Sequence, residues 1–128
     1  MKYALSIREE NGQFFADCRE IPALSRYSFS SVEEMNQKLY TAFAFVLEHE
    51  YRRKDVEIPL PADNTQVMFL LDVDAVLQAR IHLCNYLLKE DITLSVLSRK
   101  ANMNRQSVQR IMDLTNTPIF SKVSQLLE

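Results

Sequence analysis

Glycine is almost missing from this sequence: Gly12 is the only one among 128 residues. That excludes the glycine-rich loops in which bare backbone amides cradle a phosphate. Cysteine and histidine are as scarce, two of each. Cys18 and Cys84 lie in opposite halves without zinc-ligand spacing, and His49 and His82 are isolated, so no metal site, HExxH motif or paired-cysteine motif exists, and the thiols are expected to be buried and reduced. Long apolar runs are also lacking. Stretches such as AFAFVL and VMFLL fall far short of the roughly 20 residues that cross a bilayer. Met1 to Ile7 has no signal-peptide core, so no membrane association and a cytoplasmic location are expected. For catalysis little remains. The hydroxyl-rich run Ser28 to Ser31 has no histidine near it in sequence, and Asp17 and Glu20 read as solvated acids rather than metal ligands. No enzymatic activity and no cofactor are expected.

What is present is a folding composition, 47% hydrophobic and 25% charged, which belongs to soluble globular domains. The net charge of −2 gives no general attraction to nucleic acid. Its distribution is uneven, however. Residues 1 to 64 carry 8 basic and 11 acidic side chains, and residues 65 to 128 carry 7 and 6. Within the latter, Ile92 to Met112 holds Arg99, Lys100, Arg105 and Arg110 and no acid at all. A solvated helix pair usually mixes both signs, so this local bias points to phosphate.

In the first half, Tyr3, Leu5 and Ile7 alternate with Ala4, Ser6 and Arg8, the period of a half-buried strand. Asn11-Gly12 then predicts a two-residue hairpin turn, with Gln13 to Arg19 returning antiparallel and Phe14, Ala16 and Cys18 on one face. Glu20-Ile21-Pro22 interrupts the ladder, and Ala23 to Phe29 is expected as a third strand. Ser31-Val32-Glu33-Glu34 reads as a capping box opening a long helix, whose apolar face is Met35, Leu39, Ala42, Phe43, Val46 and Leu47. Arg52-Arg53-Lys54 fits the negative end of that helix dipole better than a nucleic-acid patch. Ile58 to Ala62, with Pro59 and Pro61, is an extended connector. Thr65 to Leu71 is apolar on both faces, as suits a strand covered twice, either by central placement or by a dimer partner.

The second half is helical. Val73, Val76, Leu77, Ile81, Cys84 and Leu88 form one stripe. A second helix runs from about Leu94, capped by Thr93, to Lys100, and Asn102 takes the left-handed turn position that asparagine tolerates. A third begins at the cap Asn104 and ends near Leu114, and Pro118 opens a last one through Leu127. Leu97, Ala101, Met103, Val108 and Ile111 have the spacing of two crossing helices, with small Ser98 at their approach. This reads as a helix-turn-helix, with a helical bundle that binds only protein as the alternative. Arg105, Gln106, Gln109 and Arg110, beside the cap Asn104, lie off the core face. Arginine pairs with guanine O6 and N7, and glutamine with adenine N6 and N7. Thr93, Arg99 and Ser107 suit phosphate.

The order of elements, with MKYALSI, EIPAL at Glu20 to Leu24, SVEEM, EIPLPA at Glu57 to Ala62 and ITLSVLSRKANMNRQSVQRI, resembles the HicB family of antitoxins in its helix-turn-helix subgroup, over nearly the whole chain. The resemblance implies an α+β protein: a partial ribonuclease-H-like β-β-β-α-β domain over residues 1–71 that lacks nuclease activity and binds a HicA-like toxin, then an all-α helix-turn-helix domain over residues 72–128 that binds operator DNA. It further implies a homodimer or higher homo-oligomer, and an antitoxin that neutralises an mRNA-cleaving toxin and represses its own operon. The alternative is a dimeric, phage-type transcriptional regulator without a cognate toxin. The chain departs from many members in lacking glycines after the Ile-Pro element and before the capping box.

Overall fold

Asn11 and Gly12 both adopt positive φ, 53° and 79°, the backbone that a two-residue hairpin demands because its twist matches that of the flanking strands. In the computed structural model, which describes residues 1–62 and 69–116, this turn joins β1 (Lys2–Glu10) to β2 (Gln13–Cys18). The register runs from Glu10 opposite Gln13 to Leu5 opposite Cys18. On the other side of β1 lies β3 (Phe69–Asp72), also antiparallel, with Tyr3 opposite Leu71. The sheet has the order β2-β1-β3. With the helices below it makes the chain α+β.

The expected third strand at Ala23 to Phe29 does not form. Pro22–Arg26 is a single 3-10 turn in which Leu24 is fully buried and the Ser25 hydroxyl donates to Pro22 O at 2.8 Å. Proline at the start presets a helical φ, and only Phe29 reaches the sheet, exchanging two 2.8 Å backbone bonds with Phe14. The element order before the long helix is therefore β-β-α, not β-β-β-α. Ile7, expected on the inward stripe with Tyr3 and Leu5, is 37% exposed near the hairpin.

Helix α1 (Val32–Leu47) begins as its capping box dictates: Glu34 N donates to Ser31 Oγ at 3.1 Å. The Glu34 carboxylate reaches back one residue further than a standard box, accepting from Ser30 N at 2.9 Å. With the Ser30 hydroxyl as a further donor and Lys38 beside it, this carboxyl is held at about 2. Met35, Leu39 and Phe43 are buried along the helix, and the Phe43 ring lies 4.8 Å from that of Tyr3. The Tyr3 hydroxyl, carried into the interior with its ring, donates to Pro59 O at 2.8 Å. A buried hydroxyl without such an acceptor would forfeit its bonds to water.

By their internal contacts the described residues divide into two units, one within Met1–Val46 and Pro59–Val73 and the other within Leu47–Ile58 and Asp74–Glu128. The second unit contains a five-residue π turn (Glu48–Arg52) and helices α2 (Ala75–Lys89), α3 (Leu94–Ala101) and α4 (Arg105–Met112). Asp74 caps α2 by accepting from Leu77 N at 2.8 Å. The extended segment at Ile58 is tied to α2 by a reciprocal pair, Ile58 N to Asn85 Oδ1 at 2.7 Å and Asn85 Nδ2 to Ile58 O at 2.9 Å. Both cysteines are free and buried, and burial pushes the thiols up, Cys18 to about 11 and Cys84 to about 12. The expected last helix after Pro118 and most of the Thr65 to Leu71 strand lie outside the described residues. No described helix is long and apolar enough to cross a membrane.

Candidate nucleic-acid interface

The stretch from Thr93 to Met112 is organised by four short-range bonds. Thr93 Oγ1 accepts from Val96 N at 3.3 Å, and Asn104 Oδ1 accepts from Ser107 N at 2.7 Å, so each helix has its first orphan amides satisfied by a side chain. Between them Asn102 sits at φ 53° and ψ 45°, in the left-handed region. Met103 N donates to Ser98 O at 3.1 Å, and the Ser98 hydroxyl donates to Met103 O. Small, hydroxylated Ser98 thus ties the turn back onto α3. Leu97, Val108, Ile111 and Met112 are buried; Ala101 and Met103, expected with them, are only half-buried.

Burying Val108, Ile111 and Met112 turns the opposite side of α4 to solvent. Arg105, Gln106, Gln109 and Arg110 are all exposed there, at the i, i+1, i+4, i+5 spacing of one helical face. Asn104 is exposed at the head of the same helix, and Ser107 is half-buried with its amide committed to the cap. Thr93, the cap of α3, is exposed, as are Arg99 and Lys100 on the helix. Among the described residues no carboxylate pairs with Arg99, Lys100, Arg105 or Arg110. Four uncompensated cations and two exposed glutamine amides on a helix pair about 12 Å long can serve phosphates and base edges together.

Arg52, Arg53 and Lys54, read from sequence as cations on a helix dipole, do something more specific. Arg52 Nε and Arg53 Nε donate to the carboxylate of Glu48 at 2.5 and 2.7 Å, and Arg52 Nη2 donates to it as well. Glu48 is fully buried and also accepts from Leu114 N at 3.0 Å. Burial would raise its carboxyl, but the two guanidinium groups and the amide outweigh that and hold it at about 2. Lys54 pairs with Glu50 at 2.8 Å. Sequence reasoning missed Glu48; its signal is the i, i+4 spacing to Arg52, directly after the apolar Val46 and Leu47. It also missed Arg80, which is 2% exposed and donates from Nη1 to Asn116 O, with Nε and Nη2 unpartnered among the described residues.

Asp17 and Glu20 are engaged within the protein. Asp17 accepts from Arg8 Nε at 3.1 Å, and Arg8 also lies 4.5 Å over the Phe15 ring. Glu20 accepts from Ala62 N at 3.0 Å. Among the described residues no group of three or more histidine, cysteine or acidic side chains is placed to hold a metal. No protein-family model matches the chain, and no curated protein is detectably similar to it.

Proposed function

We propose that the chain is a DNA-binding regulator of the antitoxin type, with α3 and α4 acting as a helix-turn-helix that represses its own operon. The observation that carries this reading is the face of α4, where Arg105, Gln106, Gln109 and Arg110 are exposed, and the two arginines have no ion pair among the described residues, opposite a buried Val108, Ile111 and Met112. Thr93, Asn104 and Ser107, at helix starts, and Arg99, in the last turn of α3, would fix the pair on the phosphates. In this reading the first unit, taken as a partial ribonuclease-H-like fold without nuclease activity, binds a HicA-like mRNA-cleaving toxin. A homodimer would carry two recognition helices about 34 Å apart and so call for a roughly palindromic operator.

The test is DNA binding to the region upstream of the chain's own reading frame. Arg105→Ala with Gln106→Ala should weaken that binding by about 1 to 3 kcal/mol for each lost bidentate contact, without changing capture of the neighbouring gene product. Unaltered affinity in the double variant would remove α4 from the role of reader. Failure of the adjacent gene product to co-purify would leave the toxin-free, phage-type regulator as the reading.

A further inference from the structure

The second unit has a half-open cavity of about 410 Å³; of its lining residues, Thr93 alone belongs to the set assigned to DNA. Its floor is built from buried side chains, Cys84 and Leu87 of α2 and Met112 of α4, and Leu88 and Ile92 extend the apolar wall. Small-molecule sites occupy roughly 300 to 1,000 Å³ and combine apolar walls with a few polar groups that fix orientation. Here the polar groups are unequal in sign. Asp55 and Asp91 are exposed at the mouth, each in a turn at φ 53°. Neither carboxylate has an ion pair among the described residues. Among the described residues Arg52 is the one cation in the lining, and its Nε and Nη2 are committed to Glu48.

The start of α3 also borders the cavity, and a helix N-terminus favours an anion with the equivalent of about half a charge. Thr93 already satisfies the Val96 amide there. Arg52 and Arg53 share the single charge of Glu48, which leaves one net positive charge beside the cavity, and the two full negative charges of Asp55 and Asp91 exceed that charge and the half-charge of the dipole together. We propose that this cavity binds a small organic cation, an ammonium or guanidinium carried on an apolar body. The body would rest on Cys84, Leu87 and Met112, and the charge would stay in solvent contact beside Asp55 and Asp91.

The probe is 4-phenylbutylamine, titrated calorimetrically and by amide NMR into the full chain at neutral pH, against 4-phenylbutyrate, which has a similar body and the opposite charge. The amine should bind about fivefold to tenfold more tightly, the range that two exposed carboxylates supply together. Signals of Cys84, Leu87 and Met112 should move. Asp55→Asn with Asp91→Asn should erase the preference while leaving the melting temperature nearly unchanged, because asparagine tolerates left-handed backbone angles. Cys84→Leu, which fills the floor, should weaken both probes. If that variant does not fold, the asparagine pair still decides. No amine binding, equal binding of the two probes, or a preference that survives in the asparagine variant would each overturn the proposal. None of these readouts involves DNA, so the outcome is separate from that of operator binding.

Discussion

The two units bury different kinds of side chain. Among the described residues the interior of the first is apolar, built from Tyr3, Leu5, Leu24, Met35 and Phe43, with the Tyr3 hydroxyl as a polar exception that has its own acceptor. The second unit buries Leu77, Ile81, Leu97 and Val108, but also Glu48 and Arg80. Apolar burial is non-directional and scales with area, so the first unit tolerates small adjustments of its parts. A buried carboxylate is stable only while every partner is in place, so the second unit depends on specific pairings. Glu34 makes the contrast plain. Its carboxyl is held as low as that of Glu48, yet it does so at the surface, where water and salt screen the interaction.

This contrast is easiest to break at Glu48. Glu48→Gln should cost about 3 to 5 kcal/mol, since it leaves Arg52 facing a neutral group in the interior. Hydrogen exchange should show the loss in α2 and α4 amides; equal loss throughout β1 and β2 would erase the distinction between the units. Acid should reveal the same dependence. The folded value of about 2 lies below the ordinary 4.5, so Glu48 contributes stability above about pH 4.5 and loses it as the pH falls toward 2. The loss should amount to roughly 3 kcal/mol, persist in about 1 M salt because the group is buried, and vanish in Glu48→Gln. A salt-sensitive acid transition that is unaltered in the variant would assign it to surface carboxylates instead.

Arg80 sharpens the comparison with the opposite sign. Burial lowers its pKa, nearby Asp113 and Asp74 only partly offset this, and two of its nitrogens lack partners among the described residues. Arg80→Met should therefore be neutral or stabilising by about 1 to 2 kcal/mol in thermal unfolding; a clear loss of stability would mean that its bond to Asn116 O dominates. The smallest expected effect is at the caps. Asn104→Ala should cost about 1 kcal/mol and loosen the first turn of α4, seen as faster exchange at Ser107. No change there would show that packing of Val108 and Ile111 alone sets the start of the helix.

Where an interaction spans three or four residues, it was legible beforehand. Thr93, Asn104 and Ser31 stand at the caps assigned to them, and Asn102 and Asn11-Gly12 have the positive φ that their positions require. The exposed face of α4 follows from the same reasoning, because the periodicity that selects Val108 and Ile111 for the interior leaves Arg105, Gln106 and Gln109 outside. The third strand fails to form for a local reason. Pro22 and the Ser25 hydroxyl favour a helical turn over a segment whose β-prone residues, Tyr27 and Phe29, come too late to nucleate a ladder.

By itself, then, the sequence determined hairpin, caps, the outer face of α4 and the local excess of positive charge, since each depends on backbone preferences and spacing within a turn or two of chain; on α2 the expected stripe was only partly met, with Leu88 exposed and Arg80, Leu83 and Leu87 buried. Tertiary structure alone decided that Leu47–Ile58 groups with the helical unit, that Arg52 and Arg53 serve a buried acid, and that a cavity opens beside Asp55 and Asp91. The physical reason lies in distance along the chain. Glu48 is buried as an anion between Arg52, Arg53 and the amide of Leu114, and periodicity carries no information about a partner as far along the chain as Leu114.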